Sequence, residues 1–333
     1  MESSTNSNSS SHTIPLPIVN GSANTPLAHS GSSQSPPRSP RTTTTATNPV
    51  AESLDRGIDG VLEAIQDERR TGTRSNLTWP TKVPIWNGEF SLLNMTQTVA
   101  LADAVIQAGH PEYFVTANLN YLMLTEEHPR LEEINRRSIA VLADGRPIVA
   151  RSRVSETPLP ERVAGADLIV ELARLSAEKG YRIYFLGAAP GVAQTAAHKL
   201  QEQFPQLEVA GCYAPPFRPL TAAEHEQMLE QIREAKPDIL LVAFGQPKGE
   251  MWIANNRETL GVPLSIQLGA SFDFLAGTAK RAPLVWQKIG CEWLYRALSD
   301  PRRLGPRYLK NIAFLLRKIA GDLASVLKLT FAQ

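Results

Sequence analysis

The strongest constraint on this chain is an alternation. Between residues 83 and 268, short apolar runs that end at glycine, proline or a small polar residue are separated by stretches of helical periodicity. The runs fall at 83–86, 112–116, 138–143, 181–186, 207–212, 238–244 and 263–268, and the intervening helices are expected at 92–108, 119–128, 130–137, 168–179, 191–204, 222–235 and 249–260. Strands that are apolar at nearly every position are buried on both faces, and strands alternating with helices of ten to fifteen residues imply βαβ units. The fold class is therefore α/β: a Rossmann-like, mostly parallel sheet with helices on both faces. Right-handed crossovers bring the strand-end loops to one rim, where open α/β sheets bind their ligands. Thr116, Asn118, Asp144, Gly187, Gly245 and Gly269 all fall in such loops.

Both flanks of this block differ from it. The first fifty residues hold Glu2, Arg38 and Arg41 as their only charges and are rich in Ser, Thr, Asn and Pro, a composition that cannot offset chain entropy by burial. Residues 1–74 are read as a disordered extension, without the basic start and apolar run of a signal peptide, and an amphipathic helix over 55–70 with Ile58, Val61, Leu62 and Ile65 on one face leads into the domain. Residues 75–279 form the α/β domain. Residues 280–333 form a basic helical appendage: eleven Lys or Arg against Glu292, Asp300 and Asp322 give it a charge of +8, and the remainder of the chain −7. A basic end on an acidic protein points to a polyanionic partner, whether a membrane surface, a nucleic acid or a diphosphate. From Ile312 onward, apolar residues at helical spacing among Arg317, Lys318 and Lys328 resemble a helix lying at a lipid interface, or a terminal helix docked on the core. No stretch has the length and apolarity of a membrane span. Cys212 and Cys291 lie far apart, consistent with a reduced, cytoplasmic protein, and the six histidines show no ligand spacing, so no metal site is expected.

Several rim residues carry chemistry as readily as architecture. Asp144, where the 138–143 strand gives way to Gly145, is a turn or cap residue or a base facing a substrate. Thr116 and Asn118 offer a hydroxyl and an amide, or cap the next helix. The turn Gly187-Ala188-Ala189-Pro190-Gly191 opens a helix and can approach a phosphate, but it is not GxGxxG and has no Walker lysine. Gly245-Gln246-Pro247-Lys248-Gly249-Glu250 combines two glycines and a proline, as a close backbone approach or a tight connection would require.

Taken together, Thr116-x-Asn118, Asp144-Gly145, Glu161-Arg162-Val163 with Gly165 and Asp167, Leu186-Gly187-Ala188, Lys236-Pro237-Asp238, Gly245 and Pro247 with Glu250, Phe272-Asp273-Phe274, Arg281-Ala282-Pro283 and Glu292-Trp293-Leu294-Tyr295-Arg296 resemble the WecG/TagA/CpsF glycosyltransferases, glycosyltransferase family 26, from about residue 83 to residue 308. The resemblance implies an inverting, metal-independent enzyme without a cofactor, which moves a sugar (N-acetylmannosamine-type or another hexose) from a UDP-sugar to a polyprenyl-diphosphate-linked sugar in cell-surface or exopolysaccharide synthesis. It implies peripheral attachment to the inner face of the cytoplasmic membrane and no nucleic acid. Asp144 would be the general base; Thr116, Asn118 and Gly145 would line the sugar site; Arg162, Gly187, Gly245, Pro247 and Glu250 would hold substrate. Arg296, Arg303 and Arg307 of the appendage would close over the diphosphate. Two positions depart from the family pattern: Gly249 stands where a glutamine is usual, and Pro306 precedes Arg307 where arginines are paired.

A nucleotide-sugar dehydrogenase or epimerase would share the sheet but lacks its GxGxxG fingerprint here, and a non-catalytic UDP-sugar-binding membrane adaptor is the other alternative. The donor sugar, the acceptor and the oligomeric state, a homo-oligomer included, stay open at this level.

Overall fold

A computed structural model describes residues 49–71, 80–283, 285–286 and 292–331. The Ser/Thr/Pro-rich residues 1–48 and the junction 72–79 lie outside the described residues.

The first described element is α1 (Pro49–Thr71), which covers and exceeds the helix expected at 55–70. It does more than lead into the domain: Val61 and Ile65 are buried in the core beside Leu101 and Val105. Those two belong to α2 (Met95–Ala108), which follows an antiparallel hairpin of β1 (Lys82–Ile85) and β2 (Gly88–Ser91). A capping box between Asn94 and Gln97 starts α2, and Gly109 in the left-handed region ends it.

The main sheet then builds from β3 (Glu112–Ala117), β4 (Ala140–Ala143), β5 (Arg182–Gly187), β6 (Glu208–Tyr213), β7 (Ile239–Ala243) and β8 (Leu264–Gln267). All six are parallel, in the order β4-β3-β8-β7-β5-β6. The helices are α3 (Leu119–Glu127), α4 (Arg130–Arg137), α5 (Arg146–Ser152), α6 (Gly165–Lys179), α7 (Val192–Gln203), α8 (Ala222–Ala235), α9 (Lys248–Leu260) and α10 (Ser271–Ala276). Alternate strand residues feed two cores, as the period of two demands. Phe114, Ile183, Phe185, Leu241 and Ile266 pack with α1, α2, α6 and α7 on one face. Tyr113, Val115, Tyr184, Leu186, Leu240 and Val242 pack with α3, α4, α8 and α9 on the other.

Three elements were absent from the sequence reading. The β2 strand is Gly-Glu-Phe-Ser, with no apolar run to signal it; α5 opens Arg146-Pro147, which reads as a loop although proline suits the first turn of a helix; and α10 has only six residues.

The chain ends in α11 (Glu292–Ser299) and α12 (Pro301–Phe331). Leu304, Asn311 and Phe314 are buried, so the near half of α12 is docked on the domain. Farther along, Arg317 and Lys318 pair with Glu126 of α3, and Asp322 is gripped from two sides. Arg151 of α5 donates to its two oxygens at 2.7 and 3.1 Å, and the Trp86 indole N–H donates at 2.9 Å. The opposite side carries exposed Leu309, Leu316, Ile319, Leu323 and Leu327. The docked reading of this helix thus holds for one face, and the other is exposed. Among the described residues no helix is long and apolar enough to cross a membrane.

Candidate active site

Because β3 and β4 are parallel and Ala117 pairs with Ala143, Asn118 and Asp144 leave the sheet side by side. The Asp144 N–H donates to the Ala117 carbonyl at 3.0 Å, which continues the ladder by one residue and fixes the carboxylate at the rim. Gly145 is close enough to the Asn118–Leu119 backbone that a Cβ there would lie 3.4 Å from it. The incoming loop adds to the same edge: the Val163 N–H donates to Ala143 O at 3.0 Å, which delivers Arg162 beside Asp144.

Asp144 is half-buried at the rim. Burial pushes its carboxyl up to about 7; Arg162 and Arg296 oppose the shift, and Glu292 and Asp167 reinforce it. These groups form one network. Arg162 reaches Glu292 of α11 at 3.3 Å and Asp167 of α6 at 3.6 Å, and Arg281 holds Asp167 bidentately at 2.6 and 2.9 Å. The Arg296 guanidinium stacks over the Phe274 ring at 5.0 Å, a cation–π seat that holds it near the rim.

A second chain of contacts runs along the rim from the other side. Arg307 Nε donates to Asn120 Oδ1 at 3.1 Å, Asn120 Nδ2 to Gln246 Oε1 at 3.2 Å, and Gln246 Nε2 to the Thr116 carbonyl at 3.2 Å. Arg307 is thereby joined to the Gly245–Pro247 turn, in which Gly245 has φ +76° and the Gln246–Pro247 peptide is cis.

Several expected contacts turn out to serve the scaffold. The Thr116 hydroxyl donates to Gln267 O at 2.8 Å and ties β3 to β8; the Asn118 side-chain Oδ1 caps α3 by accepting from the Tyr121 N–H. Gly187 has φ +104°, and a Cβ there would come within 2.9 Å of Ala243, so its lack of a side chain lets β5 and β7 close. The next N–H, of Ala188, is already given to Ala243 O at 3.1 Å. Glu250 is buried in the first turn of α9, and burial pushes its carboxyl up to about 8. Gln246 and its own backbone N–H oppose that shift without making well-aligned hydrogen bonds, so at neutral pH the group is mostly neutral rather than a fixed anion. Gly249 has a physical reason: a Cβ there would overlap the Gln267 side-chain amide at 2.2 Å, so a buried glutamine from β8 fills the space beside α9. Arg303 lies in the first turns of α12, and its side chain lies outside the described residues. Among the described residues no three His, Cys, Asp or Glu side chains converge as a metal site would need.

Asp167, Arg281, Glu292, Asn120, Gln246 and Gln267 were not read from the sequence as site residues. Asp167, Arg281 and Glu292 stand in the motifs that carry the family resemblance, which was the signal available for them.

The family model of the Glycosyl transferase WecG/TagA/CpsF family matches residues 83–325, from β1 to late in α12. The chain belongs to this family. Among curated relatives, the N-acetylglucosaminyldiphosphoundecaprenol N-acetyl-beta-D-mannosaminyltransferases of Staphylococcus aureus strains MW2 and NCTC 8325 are each 30% identical over 241 residues, which span 72% of this chain and 92% of the relative. The match includes the rim, the Arg162 loop and the appendage as far as the Asp322 clamp. The chain is thus a glycosyltransferase, and α1 lies ahead of the matched region.

Proposed function

We propose that this glycosyltransferase moves an N-acetylmannosamine-type sugar from a UDP-sugar to a polyprenyl-diphosphate-linked N-acetylglucosamine, with inversion and without a metal ion, at the inner surface of the cytoplasmic membrane. The observation that carries the proposal is the rim carboxylate Asp144 at the end of β4, with Arg162 and Arg296 of the appendage near it. The acceptor hydroxyl attacks the anomeric carbon from the face opposite the nucleotide. The new C–O bond forms as the bond to UDP breaks, UDP keeps the electron pair, and the acceptor proton goes to Asp144. A carboxyl pushed up to about 7 is a far stronger base than an ordinary aspartate and is about half ionised near neutral pH, which is what general-base catalysis asks for.

Negative charge grows on the departing diphosphate, and fixed guanidinium groups stabilise it where other enzymes place Mg²⁺. Arg162, Arg281, Arg296 and Arg307 come from four segments around the rim, and their planar, permanently charged forks suit phosphate oxygens. Arg303 is assigned the same task from its position in α12. The exposed leucines of α12, interspersed with Lys310 and Arg317, supply the contact with an anionic bilayer that holds the lipid-linked acceptor. A dehydrogenase or epimerase is disfavoured by the lack of a GxGxxG fingerprint at the Gly187 turn.

The test uses the purified full chain with UDP-N-acetylmannosamine and a short-chain lipid diphosphate N-acetylglucosamine. The expected result is a product one sugar longer, β-linked by NMR, with one UDP released per transfer and the rate unchanged in EDTA. Absence of transfer from every member of a UDP-sugar panel overturns the proposal, and loss of transfer in EDTA overturns its metal-free form.

A further inference from the structure

Arg162 is held by two carboxylates that are not equivalent. Asp167 has both oxygens satisfied by Arg281 and meets Arg162 only at 3.6 Å. Glu292 is closer, at 3.3 Å, and among the described residues Arg162 is the partner recorded for it. The Glu292 and Arg162 side chains are 18% and 16% exposed, so the pair is largely shielded from water yet still reachable from the rim. An ion pair so placed is stronger than a surface one and remains exchangeable.

Charge balance explains what it is for. Around Asp144 stand Asp167 on α6, Glu292 and Arg296 on α11, Arg162 in the loop before α6 and Arg281 in the segment after α10. With all ionised, three acids face three arginines. A nucleotide diphosphate brings about two further negative charges into the same space and competes with Glu292 for the Arg162 guanidinium, whose Nη1 faces that carboxylate.

We infer that Glu292 holds the place of the donor's diphosphate on Arg162 and yields that guanidinium when the donor binds. The inference rests on the nucleotide-sugar reading above. The exchange needs only a side-chain rotation, because α11 has other anchors: Arg296 over Phe274 at 5.0 Å, Trp293 against Tyr308 at 6.0 Å and Tyr295 against Trp286 at 5.9 Å. In the free enzyme the pair keeps Arg162 aimed at the rim. In the complex the released carboxylate stays beside Asp144, where its negative charge favours uptake of the acceptor's proton.

The experiment measures UDP binding by calorimetry on the full chain, for wild type, Glu292→Gln, Arg162→Ala and the double variant. Glutamine preserves shape and removes the competing charge, so Glu292→Gln should bind UDP about fivefold more tightly, the size of one partly shielded ion pair. Arg162→Ala should bind more weakly, and in that background Glu292→Gln should bring no gain. The acid limb of kcat/KM should move to lower pH in Glu292→Gln, which a purely structural role would not produce. Unchanged or weaker binding by Glu292→Gln, or a gain that survives without Arg162, overturns the exchange. Failure of the wild-type protein to bind UDP overturns instead the nucleotide-sugar reading beneath it.

Discussion

The sheet rim and the C-terminal appendage meet at one site but are built by different forces. On the rim, position is set by backbone hydrogen bonds: Asp144 to Ala117, Val163 to Ala143, Ala188 to Ala243, all continuous with the parallel ladder. In the appendage it is set by side chains: Glu292 with Arg162, Arg296 on Phe274, Arg307 on Asn120, Asp322 between Arg151 and Trp86. Ladder bonds are short-ranged and little affected by salt, whereas ion pairs near the surface are screened and exchange partners readily. The proposed base therefore sits on the part held by the sheet, and the cations proposed to adapt to donor, product and membrane sit on the part held by side chains.

Breaking the rim should have the largest effect. Asp144→Asn keeps the shape and removes the basicity, so turnover should fall by about 10²- to 10⁴-fold while UDP binding, measured by calorimetry, persists. The same variant should alter stability in a pH-dependent way. The folded pKa of about 7 lies above the ordinary 3.8, so between those values the folded chain keeps a proton that the unfolded chain has lost. The wild type accordingly loses stability as pH rises from about 4 to about 7. Asp144→Asn escapes that loss and should gain on the order of 1–3 kcal/mol over wild type at pH 8 but nothing at pH 4. Near-normal turnover in the folded variant would remove Asp144 from the mechanism.

Breaking the outer face of the appendage should sharpen the contrast, because it should leave the rim untouched. Leu316 and Leu323 are 61% and 60% exposed, lie seven residues apart on one side of α12 and make no part of its docked face. Changing both to Glu removes apolar contact and adds two charges repelled by anionic lipid, which should weaken sedimentation with phosphatidylglycerol liposomes by more than about tenfold. Transfer to a short water-soluble acceptor should stay within about twofold of wild type. Retained liposome binding would show that this face is not the contact.

The two regions also differed in how far the sequence revealed them. The strands of the main sheet were legible as short apolar runs, five of the six being buried on both faces and β6 only partly, and Asp144 and Gly245 were visible as polar or glycine breaks at strand ends, whereas Arg162 came only from the family resemblance. Strand order was not, since β7 and β8 insert between β5 and β3, a choice made by packing that no local pattern encodes. Nor were the roles of Thr116 and Gly187, whose contacts with Gln267 and Ala243 cross more than fifty residues of sequence. Composition also hid the packing of α1: 49–71 contains enough charge to look like a continuation of the polar extension, yet its few apolar residues share one face and find a partner in α2.

That last difference yields the smallest expected effect, and one that reaches a region outside the matched family segment. If 1–74 were dispensable, a chain starting at Ser75 would behave like the full protein. The structure gives a different expectation, because Val61 is fully buried, Ile65 is 2% exposed and Ala64 8%, all turned toward α2. Removing α1 uncovers these contacts and the α2 surface beneath Leu101 and Val105, a loss of about 2–4 kcal/mol and hence about 5–10 °C in melting temperature for a domain of this size. A chain starting at Pro49 should melt with the full protein. Catalysis should change little at 25 °C in either, because α1 packs at the helical layer and contributes no rim residue, but the Ser75 chain should inactivate earlier on heating. The two truncations, compared by scanning calorimetry and by transfer after a heat step, separate the outcomes. Equal melting of both would mean that α1 only leads into the domain. Loss of transfer at 25 °C in the Ser75 chain alone would mean that α2 transmits the docking of α1 to the rim, by way of the Met95 N–H that donates to Glu161 next to Arg162.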